Sequence, residues 1–374
     1  MKKSIMAIIL FVLLLESLTF QAFALPTIQD SWATKEPLPL QTSEGIITVN
    51  DMIYAFAGTG HYNGTNYYHN AVLEYNPAND MWTAKKPMPT ARGEIALAVC
   101  QNKIYVIGEA SLLSQVYDPA TDTWEDMPTS PTFRDGFDAN VVNGKIYVIG
   151  GSLGMEVTAV NEVYDPSNYS WTNKTSMPIG VCNYASAVVD NKIYILGGYS
   201  SISAGACNLT QIYDTETDIW SFGTPFPTPV NNAEAGAASG IFAPKRIYVM
   251  GGINHSLDVI SANQVYNPQN DSWTVGASMP TARYSLHIAV LKDLLFVMGG
   301  FPSYGTGEDC LVNEQYTPIE YGIPTASPQF TLPPQLQPSQ PLPIGWIAVA
   351  VLSIAIVVLV LFVFYKKRAL ARLQ

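Results

Sequence analysis

Five times the chain spells a tyrosine, a turn and, seven residues later, a tryptophan: YNPANDMW (75 to 82), YDPATDTW (117 to 124), YDPSNYSW (164 to 171), YDTETDIW (213 to 220) and YNPQNDSW (266 to 273). A second phrase recurs with it: IYVIGE (104 to 109), IYVIGG (146 to 151), IYILGG (193 to 198), IYVMGG (247 to 252) and LFVMGG (295 to 300). Self-similarity of this kind constrains a fold more than any local propensity. Each copy is one small unit that cannot bury its own faces and must stack on its neighbours. Trp82, Trp124, Trp171, Trp220 and Trp273 stand 42, 47, 49 and 53 residues apart, and Trp32 lies 50 before the first, so the period is near 47.

Within each unit the chemistry is all β. Runs of Val, Ile, Tyr and Phe that end at glycines are buried strands. Asp-Pro or Asn-Pro before a polar pair is a turn in which the carboxylate or amide caps and proline presets φ. The spacing predicts four strands per unit: an inner one after a proline pair, the IYVIGG strand, the strand that ends in the YDP-type tyrosine, and an outer strand bearing Trp. Such units close into a circle and so remove exposed edges, which makes the expected fold a β-propeller. Length varies mostly between the second and third strands, at residues 59 to 70, 109 to 114, 152 to 160, 199 to 209, 253 to 262 and 301 to 312.

The doublets Gly150-Gly151, Gly197-Gly198, Gly251-Gly252 and Gly299-Gly300 are each followed at a variable distance by Tyr164, Tyr213, Tyr266 or Tyr316. With Trp seven residues beyond the first three of these tyrosines, the pattern resembles the Kelch family over roughly residues 29 to 318. The first two units depart from it, reading Ala57-Gly58 and Gly108-Glu109, but keep Tyr75 with Trp82 and Tyr117 with Trp124. The resemblance implies a propeller that binds partners through the loops of one face. It also admits sugar-acid epimerases and copper radical oxidases as the catalytic alternative.

Seven residues after Tyr316 stands Ile323 where Trp is due, while Asp30-Ser31-Trp32 repeats Asp271-Ser272-Trp273 letter for letter. The N-terminal segment is therefore expected to supply the outer strand of the last blade. The fold class is an all-β, six-bladed Kelch-type β-propeller over residues 25 to 320, plus one C-terminal transmembrane helix.

Both ends of the chain read as topology signals. Lys2 and Lys3 precede the apolar run from Ile5 to Leu15, with small residues at Ala22 and Ala24, which predicts a signal peptide over 1 to 24. Residues 344 to 364 carry no charge and are long enough to cross a hydrocarbon core of about 30 Å. Lys366, Lys367, Arg368 and Arg372 follow, so the short basic tail, 365 to 374, is expected in the cytoplasm and the rest outside the cell. Between propeller and span, residues 321 to 343 are rich in proline and read as an extended stalk. These features predict a single-pass membrane protein with its N-terminal domain extracellular.

Setting aside Lys2, Lys3, Glu16 and the four basic residues of the tail leaves 13 basic against 29 acidic residues, a net charge near −16. A surface of that sign repels nucleic acid, so the expected partner is an extracellular protein or glycan, with the membrane engaged through 344 to 364. Sequons at Asn63, Asn168, Asn173, Asn208, Asn254 and Asn270 are candidate N-glycosylation sites. Cys182 and Cys207, expected on one face of one blade, are the candidate disulfide, and Cys100 is expected to be a buried thiol.

The candidate binding residues are Tyr62, Tyr67, Tyr68, His69, Tyr199 and Tyr304, whose flat amphipathic rings suit peptide or sugar. Arg92, Arg134 and Arg283 each fall ten residues after a Trp. They are candidates either for a collar around the channel mouth or for pairing with inner-strand carboxylates such as Glu44, Glu94 and Asp138. The four histidines form no ligand-spaced cluster, and no nucleophile elbow, phosphate loop or dinucleotide fingerprint occurs. No metal, cofactor or catalytic residue is therefore expected, and a binding module is favoured over an enzyme or a surface spacer.

Overall fold

The computed structural model describes residues 29–40, 45–56, 58–62, 65–108, 114–200, 202, 205–305 and 310–322. The expected signal peptide, stalk, membrane span and tail lie outside the described residues. Six four-stranded antiparallel sheets carry the fold. Their innermost strands are Gly45–Val49, Ile95–Cys100, Asp138–Val142, Ala185–Val189, Glu234–Ala238 and His287–Leu291, numbered here as blades 1 to 6. In blade 4 the order outward is Ala185–Val189, Lys192–Leu196, Thr210–Asp214 and Ile219–Phe222.

Blade 6 confirms the expected closure. Its own chain supplies His287–Leu291, Leu294–Met298 and Asn313–Thr317, and the outer position is filled by Ser31–Lys35. Trp32 lies directly opposite Tyr316, as Trp124 lies opposite Tyr117. The edge of Asn313–Thr317 is thereby paired, and blade 6 reaches the same four strands as its neighbours.

The core lies between blades rather than inside any one of them. Side chains alternate across a strand, so Ile104 and Val106 pack on blade 1 while Tyr105 and Ile107 pack on blade 3. That double burial is why the strand reads as an unbroken apolar run. Hydrophobic clusters of this kind fill all six interfaces, the one between blades 6 and 1 joining Phe296 and Met298 to Ile53 and Tyr75.

In every blade the repeat tyrosine and tryptophan stack across the outer hairpin, with ring centroids 4.9–5.1 Å apart. Each such pair is worth about 0.5–1.5 kcal/mol beyond its buried area. The indole N–H then reaches the preceding blade: Trp82 donates to the Glu36 carbonyl, Trp124 to Lys86, Trp171 to Pro128, Trp220 to Thr175, Trp273 to Thr224 and Trp32 to Ala277. The turn is capped as its sequence suggests. The Asp118 carboxylate accepts the Ala120 N–H at 2.9 Å, and the Asn76 amide oxygen does the same for Ala78.

The glycine doublet ends the second strand because nothing larger fits there. At Gly197 (φ +69°) a Cβ would stand 2.6 Å from the Val230 carbonyl oxygen, and at Gly198 (φ +92°) 2.6 Å from that of Cys182.

Candidate functional site

Loops between the second and third strands emerge on the same face as the links that enter each next inner strand. Backbone bridges tie the two sets together: Asp135 with Ser152, Cys207 with Val230, Asn231 with Ile253 and Tyr284 with Phe301. The links are also chained laterally. The Asn183 N–H donates to Gly136 O, Asn232 N–H to Asn183 O and Ser285 N–H to Asn232 O, each at 2.8 Å. This face is a hydrogen-bonded platform rather than a set of independent loops.

Large side chains stand exposed on it. Tyr199 and Tyr304 are both solvent-exposed, Tyr304 at 57% and 6.0 Å from the ring of Tyr284. Leu153, Met155, Ile202, Leu257 and Phe133 are exposed on the same loops and links. Sequence reasoning missed these five, because a lone apolar residue in a loop has no periodicity to betray it. Tyr62, Tyr67 and Tyr68 lie on the paired strands Thr59–Tyr62 and Thr65–Tyr68 of the blade 1 loop, with their side chains outside the described residues. His69 follows, half-buried, its N–H on the Gly58 carbonyl at 2.8 Å.

The arginine collar is not formed. Arg92, Arg134 and Arg283 are fully buried within their blades, so they offer nothing to a partner. The side chains that receive them in these hydrogen bonds lie on the third strand, not the inner one as expected. The Arg134 guanidinium donates to Glu162 at 2.8 Å, Arg283 to Glu314 at 2.6 Å and Arg92 to the Gln115 amide oxygen at 3.0 Å. Each guanidinium meets its charged or amide partner through a single terminal nitrogen and adds backbone carbonyls, Val148 O for Arg134 and Val312 O for Arg283.

The candidate disulfide is also corrected. All four cysteines are buried thiols. Strand Tyr199–Ser200 lies between the pair, with Cys182 opposite Tyr199 on one side and Ala206 bridged to Tyr199 on the other. Two strand spacings separate the cysteines by roughly 9–10 Å, beyond the span of about 4.4–6.8 Å that a disulfide bridges. Cys100 matches expectation: it ends its inner strand buried, its thiol donating to the Gly144 carbonyl at 3.3 Å.

Five of the sequons fall among the described residues. Asn168, Asn173 and Asn270 are exposed, and in two of them the amide oxygen already accepts the hydroxyl of the sequon's own serine, Asn168 from Ser170 and Asn270 from Ser272, at 2.6 Å. Asn208 and Asn254 are half-buried, their amide N–H groups donating to the Phe226 carbonyl and to Asp258. Asn63 lies outside the described residues.

Inside the circle of blades runs a cavity of about 890 Å³ that opens on the loop face. Asp138 begins the inner strand of blade 3 and Glu234 that of blade 5. Between them blade 4 brings Tyr184 and Ser186. The Ser186 hydroxyl donates to Asp138 at 2.9 Å, and the Tyr184 hydroxyl accepts the Asp138 N–H at 3.0 Å and donates to the Ile149 carbonyl. Removal from bulk water pushes the Asp138 carboxyl up to about 6. Burial and then the charge of Asp138 raise Glu234 well above the usual carboxylate range. Among the described residues, no group of three or more His, Cys, Asp and Glu comes together as a metal would require.

The comparisons agree with this architecture. Residues 104–317 match the family described as attractin/LZTR1 β-propeller. Kelch repeat and BTB domain-containing protein 12 of Homo sapiens is 29% identical over 93 residues, 23% of this chain and 15% of its own length. Kelch-like protein terF of Aspergillus terreus is 31% identical over 100 residues, 25% of this chain and 20% of its own. Kelch-like protein 23 of Mus musculus is 28% identical over 118 residues, 31% and 20%. The chain therefore spans only 15–20% of these relatives. A solved structure titled "Structure of YjhT" superposes with a TM-score of 0.62 over 75% of this chain and 96% of that one, at 17% identity, a likeness of fold alone. With the family match spanning three blades in full and most of two more, on a six-bladed frame of Tyr–Trp hairpins, the chain belongs to the attractin/LZTR1 family of Kelch-repeat β-propellers.

Proposed function

We propose that the chain is a protein-interaction module that works at the cell surface, without catalysis, and engages its partner through the loop face. The observation that carries this reading is the set of exposed large side chains on that platform: Phe133, Leu153, Met155, Tyr199, Ile202, Leu257 and Tyr304. Aromatic, Met and branched apolar groups on rigid supports are what protein interfaces bury at their centres, because ordering them costs little entropy on binding. A sugar-binding site relies more on polar hydrogen bonding. For that reason a polypeptide is the proposed partner, and a glycan the alternative outcome. The signal peptide at 1–24, the stalk, the span at 344–364 and the positive tail supply the proposed address. They hold the propeller outside the cell by one helix, with glycans on Asn168 and Asn270, in turns between third and fourth strands on the face opposite the loops, and on Asn173 at the end of an outer strand.

The test is a surface-proteome pull-down with the soluble segment 25–325. A partner retained by the wild type should be lost when Met155, Tyr199, Ile202 and Tyr304 are changed together to Ser, and kept when Ile219 and Val275, exposed on outer strands, are changed. Equal retention by both variants contradicts the proposal. So does turnover of a sialic or uronic sugar by the unmodified segment, which would restore the enzyme reading. Protease accessibility of the propeller on intact cells tests the topology.

A further inference from the structure

Buried carboxylates elsewhere in this chain are matched by the chain itself. Glu162 receives the Arg134 guanidinium and the hydroxyls of Ser130 and Thr132. Glu314 receives Arg283 and Thr281. Asp293 receives the backbone N–H groups of Ser239, Ile241, Phe242 and Ala243. The two channel carboxylates are treated differently. Asp138 has one serine hydroxyl, and Glu234 has only the N–H of its neighbour Ala235 at 3.0 Å. Among the described residues no lysine or arginine lines the cavity, while Glu94 and Asp135 on its wall add charge of the same sign. Among the described residues, the countercharge that the protein supplies to Glu162 and Glu314 is missing at a cavity open to a ligand.

We infer that the channel receives an organic cation, the guanidinium or ammonium of an arginine or lysine side chain that the partner protein inserts between Asp138 and Glu234 while its flanking residues lie on the apolar rim. This rests on the reading of the loop face as a protein-binding surface, and names the chemistry of the partner. Charge complementarity carries it: a half-buried pair of carboxylates gains much from a cation, and the strongly acidic surface steers a basic segment toward the mouth. A metal ion fits the lining poorly, because Ca²⁺ takes about six to eight oxygen ligands and no three acidic or histidine side chains converge here among the described residues. The cavity, at about 890 Å³, has room for a long side chain and its waters. Burial raises both carboxyls, so an arriving cation shifts them toward the ionised form, and binding releases protons where the pair is still partly protonated. The other titratable groups facing the pair are Glu94 of blade 2, Asp135 of blade 3, Tyr184 of blade 4 and His287 of blade 6.

The test uses the full-length chain in detergent, with N-acetyl-arginine amide, N-acetyl-lysine amide and the neutral N-acetyl-citrulline amide as probes, followed by calorimetry in buffers of different ionisation enthalpy. The arginine and lysine probes are expected to bind at about millimolar strength and the citrulline probe not to bind. Proton release is expected at pH 6.5, and affinity should fall as the pH is lowered from 7.5 to 5. Asp138→Asn and Glu234→Gln, near-isosteric changes checked for an intact melting transition, should each weaken the cationic probes at least about fivefold. Equal binding of citrulline, unchanged affinity in both variants, or Ca²⁺ displacing the probes overturns the inference. A partner retained by the rim while the cationic probes fail to bind removes the cation site and leaves the interaction module. Cationic probes that bind while no partner is retained leave the site and remove the module.

Discussion

At Pro128 the backbone has no N–H to donate, and the residue that would have accepted it is missing too. In the other five blades an aspartate two residues before the Trp takes both the repeat tyrosine's hydroxyl and a backbone N–H of the preceding blade. Asp122 accepts Tyr117 at 2.6 Å and Lys86 N–H at 2.9 Å; Asp218 accepts Tyr213 at 2.6 Å and Thr175 N–H at 3.0 Å. Where the partner is Pro128 the position is Tyr169, exposed and at φ +57°. Asp tolerates that left-handed conformation and Tyr does not favour it, so the exception follows the lost donor rather than the backbone. Asp122→Ala should cost about 1–3 kcal/mol in urea unfolding, because two donors lose their acceptor. An unchanged midpoint would contradict this role. The tyrosine's hydrogen bond also holds the Asp80 and Asp122 carboxyls below their usual value, so their contribution is present at neutral pH and lost on acidification through that range. Asp138 works in the opposite sense. Its folded value of about 6 lies above the unfolded one, so ionising it costs stability. Asp138→Asn should raise Tm at pH 7.5, the gain shrinking below pH 6 and vanishing by about pH 4. A gain independent of pH would refute the assignment.

At the scale of the blade, two solutions to one packing problem alternate. Blades 2, 3 and 6 bury an arginine against a Gln or Glu of the third strand. Blades 4 and 5 put Val181 and Val230 in its place and let Gln211 or Gln264 take both the N–H and the carbonyl of the link, at Ile179 and Thr228. Arg283→Val alone should destabilise by about 3–5 kcal/mol, since Glu314 is left buried and unpaired. Adding Glu314→Gln should recover most of that, by recreating the arrangement of blades 4 and 5; a double variant no better than the single one would contradict the equivalence. This is also where the sequence became hard to read. Tyr, Trp and the glycine doublet were legible because each occupies a fixed place in a strand or turn. An arginine ten residues after Trp reads the same whether it points into the channel or into its own blade. Cys182 and Cys207 show the same limit: a shared face was legible, but the strand that keeps them apart was a loop to the eye. Asp138 and Glu234 were two acids among many, since their character comes from what the neighbouring blades fail to supply.

At the scale of the molecule, stability comes from six inter-blade interfaces of similar make, so a gap at any one of them exposes two apolar faces at once. The seam between blades 6 and 5 is closed in part by the outer strand Ser31–Lys35. Trp32 donates there to Ala277 O at 2.9 Å, and Asp30 takes Ala277 N–H and the Tyr316 hydroxyl. This closure was legible because Asp-Ser-Trp recurs without the strands that precede it elsewhere. The loop platform and the channel both depend on the seal, because they exist only while the circle is complete. The direct test is thermal unfolding of the chain with residues 25–40 deleted. The account predicts loss of the cooperative transition, with aggregation through the bared edge of Asn313–Thr317. A soluble protein with an unchanged Tm would contradict it.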